Sequence, residues 1–176
     1  MKTVILCGGK GTRLAEETQV RPKPLVKVGD KPILWHIMSI FNKHGLNDFV
    51  LALGYKGKLI REYFLNYYAK NNDCRVNLSN GQVDFLTKNK INWNVDLIDT
   101  GNETLTGGRL KRLEPLLSEE TFILTYGDGL ANVNISKLIE FHKSHEKIAT
   151  VTAVRPGARF GEMFIKDKQV TKFEEK

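Results

Sequence analysis

Residues 6–25 read LCGGKGTRLAEETQVRPKPL and follow directly on the apolar residues Val4 and Ile5. An apolar run that breaks into Gly8, Gly9 and Gly11 predicts a short buried strand and then a tight turn. In such a turn N–H groups are exposed and no Cβ obstructs a ligand. Thr12 and Arg13 complete a cradle suited to phosphates. Pro22 and Pro24 fix φ on both sides of Lys23 and disfavour helix there, which predicts an extended segment holding the ammonium in place.

Two familiar phosphate loops do not fit. A dinucleotide fingerprint needs GxGxxG, and Gly9, Gly11 and Leu14 leave the third glycine missing. A P-loop needs Gly-Lys followed by Ser or Thr, and Lys10 is followed by Gly11. What is left is a glycine loop with two added cations, Arg13 and Lys23, better matched to a mobile triphosphate than to a fixed pyrophosphate bridge. A plain surface turn between strand and helix would use the same glycines; the Pro-Lys-Pro that follows favours the phosphate reading.

Working outward, apolar runs alternate with amphipathic stretches, the pattern of an α/β fold with a mostly parallel central sheet flanked by helices. Strands are expected at residues 3–7, 48–53, 75–79, 95–99, 121–126 and 148–154. Helices are expected at 32–44, 58–70, 107–117 and 134–145, the first opening on Pro32 and closing at Gly45. Residues 80–93 are polar with little periodicity and read as an excursion from the sheet. Residues 162–174 look like a hairpin around Asp167 and Lys168. With no repeats and no linker, 176 residues predict a single domain.

Composition sets bounds on function. The chain is 41% hydrophobic and 27% charged, as in an ordinary globular protein. No apolar run approaches the ~20 residues needed to span a bilayer, and Met1-Lys2-Thr3 leads straight into a strand, so the expectation is a cytoplasmic protein without a membrane partner. Cys7 and Cys74 lie far apart without a CxxC, which gives neither a disulfide framework nor a zinc site. The net charge of +7 permits polyanionic partners. Its basic residues are nevertheless scattered, at Lys56, Lys58 and Arg61, Lys88 and Lys90, then Arg109, Lys111 and Arg112. No arginine-rich tract or nucleic-acid module emerges, so nucleic acid is not an expected partner.

A second constellation is Gly127-Asp128-Gly129 behind the apolar run TFILTY. Open α/β sheets bind ligands at the carboxyl ends of their strands. An aspartate there suits a Mg²⁺ that keeps several waters and bridges to substrate phosphates. A β-turn uses the same residue types. Paired with the glycine loop, Asp128 points to a nucleotide–metal site.

GGKGTRL at residues 8–14 followed by PKP at 22–24 resembles the signature of the sugar-nucleotidyltransferases, or nucleotide-sugar pyrophosphorylases. DTGNETLTGGRLKRL at 99–113 and LTYGDGL at 124–130 look like the glucose-1-phosphate cytidylyltransferase branch, and the likeness extends over the entire chain. The resemblance implies a Rossmann-like nucleotide-diphospho-sugar transferase fold. It also implies a reaction of CTP with α-D-glucose 1-phosphate, giving CDP-glucose and pyrophosphate with Mg²⁺ as cofactor. By the same resemblance Leu6, Cys7, Gly8, Gly9 and Lys10 hold the nucleotide, with Gly11, Thr12 and Arg13 at the triphosphate and its metal. Lys23 contacts phosphates, Thr104 and Arg109 sit at the nucleotide, Asp128 binds Mg²⁺, and Lys176 contacts the sugar phosphate. Arg13 and Lys23 are the expected catalytic residues. Family members continue beyond this length with a second metal-binding aspartate, so the expectation is a carboxyl-terminally truncated, poorly active chain. The whole enzyme is expected to be a homo-oligomer.

Alternatives stay open at this point. Another nucleoside triphosphate, dTTP, UTP or GTP, would use the same loop, and a non-catalytic nucleotide- or sugar-binding module is a third reading. His142 and His145 stand three apart on a helix without a carboxylate or cysteine to complete a metal site. Tyr63, Phe64, Tyr67 and Tyr68 form an aromatic stripe expected in a core or subunit contact. His36 is expected to pack or lie at the surface, and Trp93 to sit in the excursion.

Overall fold

A computed structural model describes residues 1–9, 20–87, 91–118, 120–154, 162–167 and 169–174. Four strands form one parallel sheet: β1 (Thr3–Leu6), β4 (Asp48–Leu53), β7 (Asn94–Asp99) and β8 (Ile123–Tyr126). Their spatial order is β7-β4-β1-β8, with Thr3 opposite Phe49 on one side and Ile123 on the other. Both central strands are apolar runs because both faces are covered: all of β1 is buried, as is β4 beyond Asp48. The edge strands β7 and β8 instead alternate exposed and half-buried positions along most of their length.

The order has a mechanical consequence. The chain steps outward in one direction from β1 to β4 to β7 and then returns across the sheet to β8. Right-handed crossovers therefore put the helix between β7 and β8 on the opposite face from the earlier ones. That crossover helix, α4 (Thr106–Leu117), buries Leu113 and Leu117 against Val4, Leu6, Val50 and Ala52, with Ile98, Leu110 and Phe122 at the margin. Ile5, Phe49 and Leu51 alternate to the other face. The helices of that side, α1 (Ile33–Lys43) and α2 (Gly57–Leu65), bury Leu34, Ile37, Met38, Phe41 and Ile60. Trp93 packs there too, its ring 5.6 Å from Trp35 and 5.7 Å from Phe49, so the excursion ends in a packed anchor.

Several expectations are corrected. The helix expected over 58–70 is two, α2 and the short α3 (Tyr67–Lys70), because Asn66 folds its side-chain amide back onto the Glu62 carbonyl at 2.8 Å. The strand expected at 75–79 is β5 (Cys74–Val76), and it forms a hairpin with β6 (Val83–Phe85) inside the polar excursion, the turn built by Asn77 and Asn80 side chains accepting from the backbone of Ser79 and Gln82. Lys23 is not on an extended segment: Pro22 is extended, but Lys23–Leu25 closes a 3₁₀ turn with Val26 N–H donating to Lys23 C=O at 3.0 Å. A proline in the first turn of a helix gives up no hydrogen bond, which is why Pro24 is tolerated there. Residues 148–154 are not in a strand, and Ile148, Val151 and Val154 are exposed. A β-branched run becomes a strand only where another strand pairs with it.

Two short strands, β2 (Lys27–Val28) and β3 (Lys31–Pro32), pair antiparallel before α1, where the His36 ring sits 2.9 Å from the Val28 carbonyl. The chain divides into two compact units, Met1–Ser136 and Lys137–Lys176. The second holds most of α5 (Ile135–Ser144) and the antiparallel hairpin of β9 (Glu162–Lys166) with β10 (Gln169–Glu174), turned at Asp167 with φ 50°. In that unit His142 Nδ1 and His145 Nε2 both reach Thr150 Oγ1, at 2.9 and 2.8 Å. No helix is long and apolar enough to cross a membrane among the described residues.

Candidate active site

The sheet order reverses between β1 and β8: the chain leaves β1 to one side, toward β4, while β8, the neighbour on the other side, is reached only after β7. At such a switch point the loops diverge and leave a crevice outside the carboxyl ends of the strands. A cavity of about 240 Å³ lies there. Its walls are Leu6, Cys7, Gly8 and Gly9 after β1, Lys23 and Pro24 of the 3₁₀ turn, Thr104, Leu105, Thr106 and Arg109 at the start of α4, and Tyr126, Gly127 and Asp128 after β8.

Residues named from sequence therefore converge: Leu6, Cys7, Gly8, Gly9, Lys23, Thr104, Arg109 and Asp128 share this one cavity. Lys10, Gly11, Thr12, Arg13 and Lys176 lie outside the described residues. Gly127 is tied to β1 by its N–H donating to Leu6 C=O at 3.0 Å, which carries the next residue, Asp128, to the mouth of the loop. There the Lys23 ammonium donates to Asp128 Oδ2 at 2.5 Å.

Arg109 is placed differently from a free phosphate ligand. Its side chain is buried at 5% exposure, and its terminal nitrogens donate to Leu53 C=O (3.0 Å), Thr100 Oγ1 (2.7 Å), Gly8 C=O (3.1 Å) and Asn102 C=O (3.4 Å). Those acceptors follow or end β1, β4 and β7, so one guanidinium ties the carboxyl ends of three strands together. Thr100 reinforces the tie by donating its hydroxyl to Leu53 C=O at 2.6 Å, and Tyr55 N–H reaches Gly8 C=O at 3.3 Å. A Cβ on Gly8 would lie 2.2 Å from Arg109 Nη1, and one on Gly54 2.5 Å from it. Both glycines are thus needed for the guanidinium to pass. Burial, with Arg112 nearby, lowers the Arg109 pKa from its ordinary value, with Asp99 and Cys7 opposing. With an ordinary value above 12 the group stays charged.

Among the described residues the cavity offers donors, the Asp128 carboxylate and the Cys7 thiol. Burial, reinforced by the Asp128 charge and opposed by Arg109, pushes the Cys7 thiol far up, so it stays protonated and inert. Helix α4 opens onto the cavity with no capping side chain and no acidic residue in its first turn. Its first N–H groups and the positive end of its dipole are left to favour an acceptor or anion. Among the described residues no three His, Cys, Asp or Glu side chains gather around a metal position. A lone Asp128 fits a hard cation that arrives already bound to phosphates and water, as Mg²⁺ does, and does not fit an all-protein cage.

Residues 2–176 match the family model described as nucleotidyl transferase. The chain belongs to the nucleotidyl transferase family. It is 50% identical over 177 residues to the Salmonella typhimurium protein named glucose-1-phosphate cytidylyltransferase, covering 100% of this chain and 69% of that one. It is 30% identical over 179 residues to D-glycero-alpha-D-manno-heptose 1-phosphate guanylyltransferase of Aneurinibacillus thermoaerophilus, covering 100% of this chain and 68% of the relative. Among solved structures, HddC from Yersinia pseudotuberculosis superposes with a TM-score of 0.62 at 26% identity, over 99% of this chain and 69% of that one. The parallel sheet with helices on both faces is thus the Rossmann-like arrangement of this nucleotidyl transferase family, and the chain is a transferase of the nucleotidyl class.

Sequence reasoning did not single out Gly54, Leu53, Thr100 and Asn102. They carry no chemistry in themselves and matter only because Arg109 reaches them. Leu105, Thr106, Tyr126 and Pro24 are likewise cavity walls by position; only the placement of α4 and β8 beside β1 reveals them.

Proposed function

We propose that this chain transfers CMP from CTP to α-D-glucose 1-phosphate, giving CDP-glucose and pyrophosphate. The observation that carries the reading is the meeting of the phosphate-side lysine and the β8 aspartate at the switch-point crevice of a nucleotidyl transferase. The base and sugar follow from 50% identity to a protein of that name.

The chemistry asks little of the protein covalently. The sugar phosphate oxygen attacks the α-phosphorus of CTP, a new P–O bond forms, the α–β bridging bond breaks, and pyrophosphate departs with the electron pair. Attack of one anion on another is limited by repulsion and alignment, which cations and positioned donors relieve. Mg²⁺ held by Asp128 would supply charge neutralisation at the phosphates. Lys23, beside Asp128 at the cavity, binds phosphate oxygens, and α4 turns its free N–H groups toward the nucleotide. Arg109 fixes the Gly8 carbonyl and so the backbone at Gly8 and Gly9 that lines the cavity. Arg13 is assigned by the family motif to the departing pyrophosphate. On this reading Arg13→Ala lowers turnover far more than it weakens CTP binding, which steady-state kinetics alongside calorimetry would measure; unchanged turnover would remove Arg13 from the mechanism.

The reading carries a cytoplasmic setting and a homo-oligomeric whole enzyme, in line with the family. The direct test is release of CDP-glucose and pyrophosphate on mixing the protein with CTP, glucose 1-phosphate and Mg²⁺. Product only with a different nucleoside triphosphate would select the second reading, a guanylyl, thymidylyl or uridylyl transferase. The guanylyltransferase relative at 30% identity favours GTP as its first candidate.

A further inference from the structure

Lys23 and Asp128 stand 105 residues apart in sequence, both line the cavity, and they pair at 2.5 Å between Nζ and Oδ2. Their side chains keep 27% and 33% of their exposure, so the pair sits at the mouth, within reach of an incoming ligand. Among the described cavity residues the only other cation is Arg109, and its terminal nitrogens are already engaged by protein oxygens. Lys23 and Asp128 are therefore each other's counter-ion where the proposed reaction assigns them to two different parts of one ligand.

We infer that this ion pair is an exchange latch, which makes the site select the metal–triphosphate complex over either component alone. The inference rests on the nucleotidyl-transfer reading and adds a binding rule to it. A divalent cation arriving alone competes with Lys23 for the Asp128 carboxylate and stands beside the ammonium's positive charge. A metal-free triphosphate arriving alone competes with Asp128 for the ammonium and faces the carboxylate's negative charge. When both arrive together, one ion pair is exchanged for two and no charge at the mouth is stranded. A hard cation bound by one carboxylate plus phosphate oxygens suits that exchange.

The test is whether removing either partner unmasks the other. Mn²⁺ alone, followed by electron paramagnetic resonance of the free ion, is titrated into the native protein and Lys23→Met. CTP in EDTA is titrated by calorimetry into the native protein and Asp128→Asn. The latch predicts that Lys23→Met binds Mn²⁺ alone roughly fivefold tighter than native, and that Asp128→Asn binds metal-free CTP roughly fivefold tighter, the scale set by loss of one partly exposed ion pair. Both variants bind Mn²⁺–CTP more weakly than native. A simple pair of ligand contacts predicts losses alone, so the two gains are the signature.

Absence of either gain in a folded variant overturns the latch. Because the gains are read in separate variants, a folding defect in one leaves the other to decide. Native protein that binds Mn²⁺–CTP while the variants show no gain sinks the latch and leaves the nucleotide reading standing. Native protein that fails to bind Mn²⁺–CTP at all removes both.

Discussion

Arg109 is a buried charge whose partners are carbonyl oxygens and one hydroxyl. Its removal strands several buried acceptors at once, and charge-assisted hydrogen bonds are among the stronger ones. Arg109→Ala is expected to destabilise the fold by about 3 kcal/mol, read from urea unfolding. Arg109→Lys keeps the charge but not the planar fork, and is expected to recover less than half of that loss. Gly8→Ala is the complementary probe, since its Cβ would sit 2.2 Å from Nη1 and force the guanidinium aside. This variant is expected to stay folded and to lose about tenfold in CTP affinity, the scale of a misplaced binding loop; unchanged affinity would separate the loop's shape from the clamp. Of this local design the meeting of Gly8, Gly9, Lys23 and Asp128 at one cavity is legible in sequence, because glycines and charges at strand ends carry a chemical signature. The clamp is not, because Gly54, Thr100 and Asn102 acquire their role only when β4 and β7 are brought beside β1.

Among the elements, the buried strands and the amphipathic helices are the most legible, since their apolar runs and helical spacing are properties of the chain itself. β4 occupies residues 48–53 as expected, and α1 and α4 differ from their expected bounds by a residue or so at each end. Polar residues near 66 and 77–82 hide their structure, because an Asn that folds onto its own backbone looks like loop composition until the hydrogen bond is seen. The run at 148–154 misleads in the other direction, since strand propensity does not supply a partner. Packing of α4 gives a test at this scale: Leu113 is fully buried against β1 and β4, so Leu113→Ala is expected to cost about 3 kcal/mol, measured by denaturant unfolding. The aromatic stripe gives a pH test. Burial, with Tyr67 beside it, pushes the Tyr63 hydroxyl up to about 12 from 10.0. The fold therefore favours the neutral phenol, and that stability is complete below pH 10 and lost as pH rises from 10 toward 12. Tyr63→Phe is expected to flatten the alkaline slope of the unfolding free energy, and an unchanged slope would assign it to other groups.

For the whole molecule, the decisive fact is where the strand order turns. Four parallel strands in the order β7-β4-β1-β8 leave a crevice at the carboxyl ends of β1 and β8, and Gly8, Gly9, Lys23 and Asp128 line it. The net charge of +7 adds long-range attraction for a polyanionic substrate. Fold class was legible from alternation of strand and helix patterns, but the order of strands was not, because pairing joins residues far apart along the chain. On the nucleotidyl-transfer reading this crevice is a cytidine triphosphate site. Calorimetric titration of CTP, UTP, dTTP and GTP in Mg²⁺ tests it most directly. CTP is predicted to bind one per chain and at least about tenfold tighter than the others, the order of discrimination that a few base contacts supply. Equal binding of all four, or no binding of CTP, would contradict it.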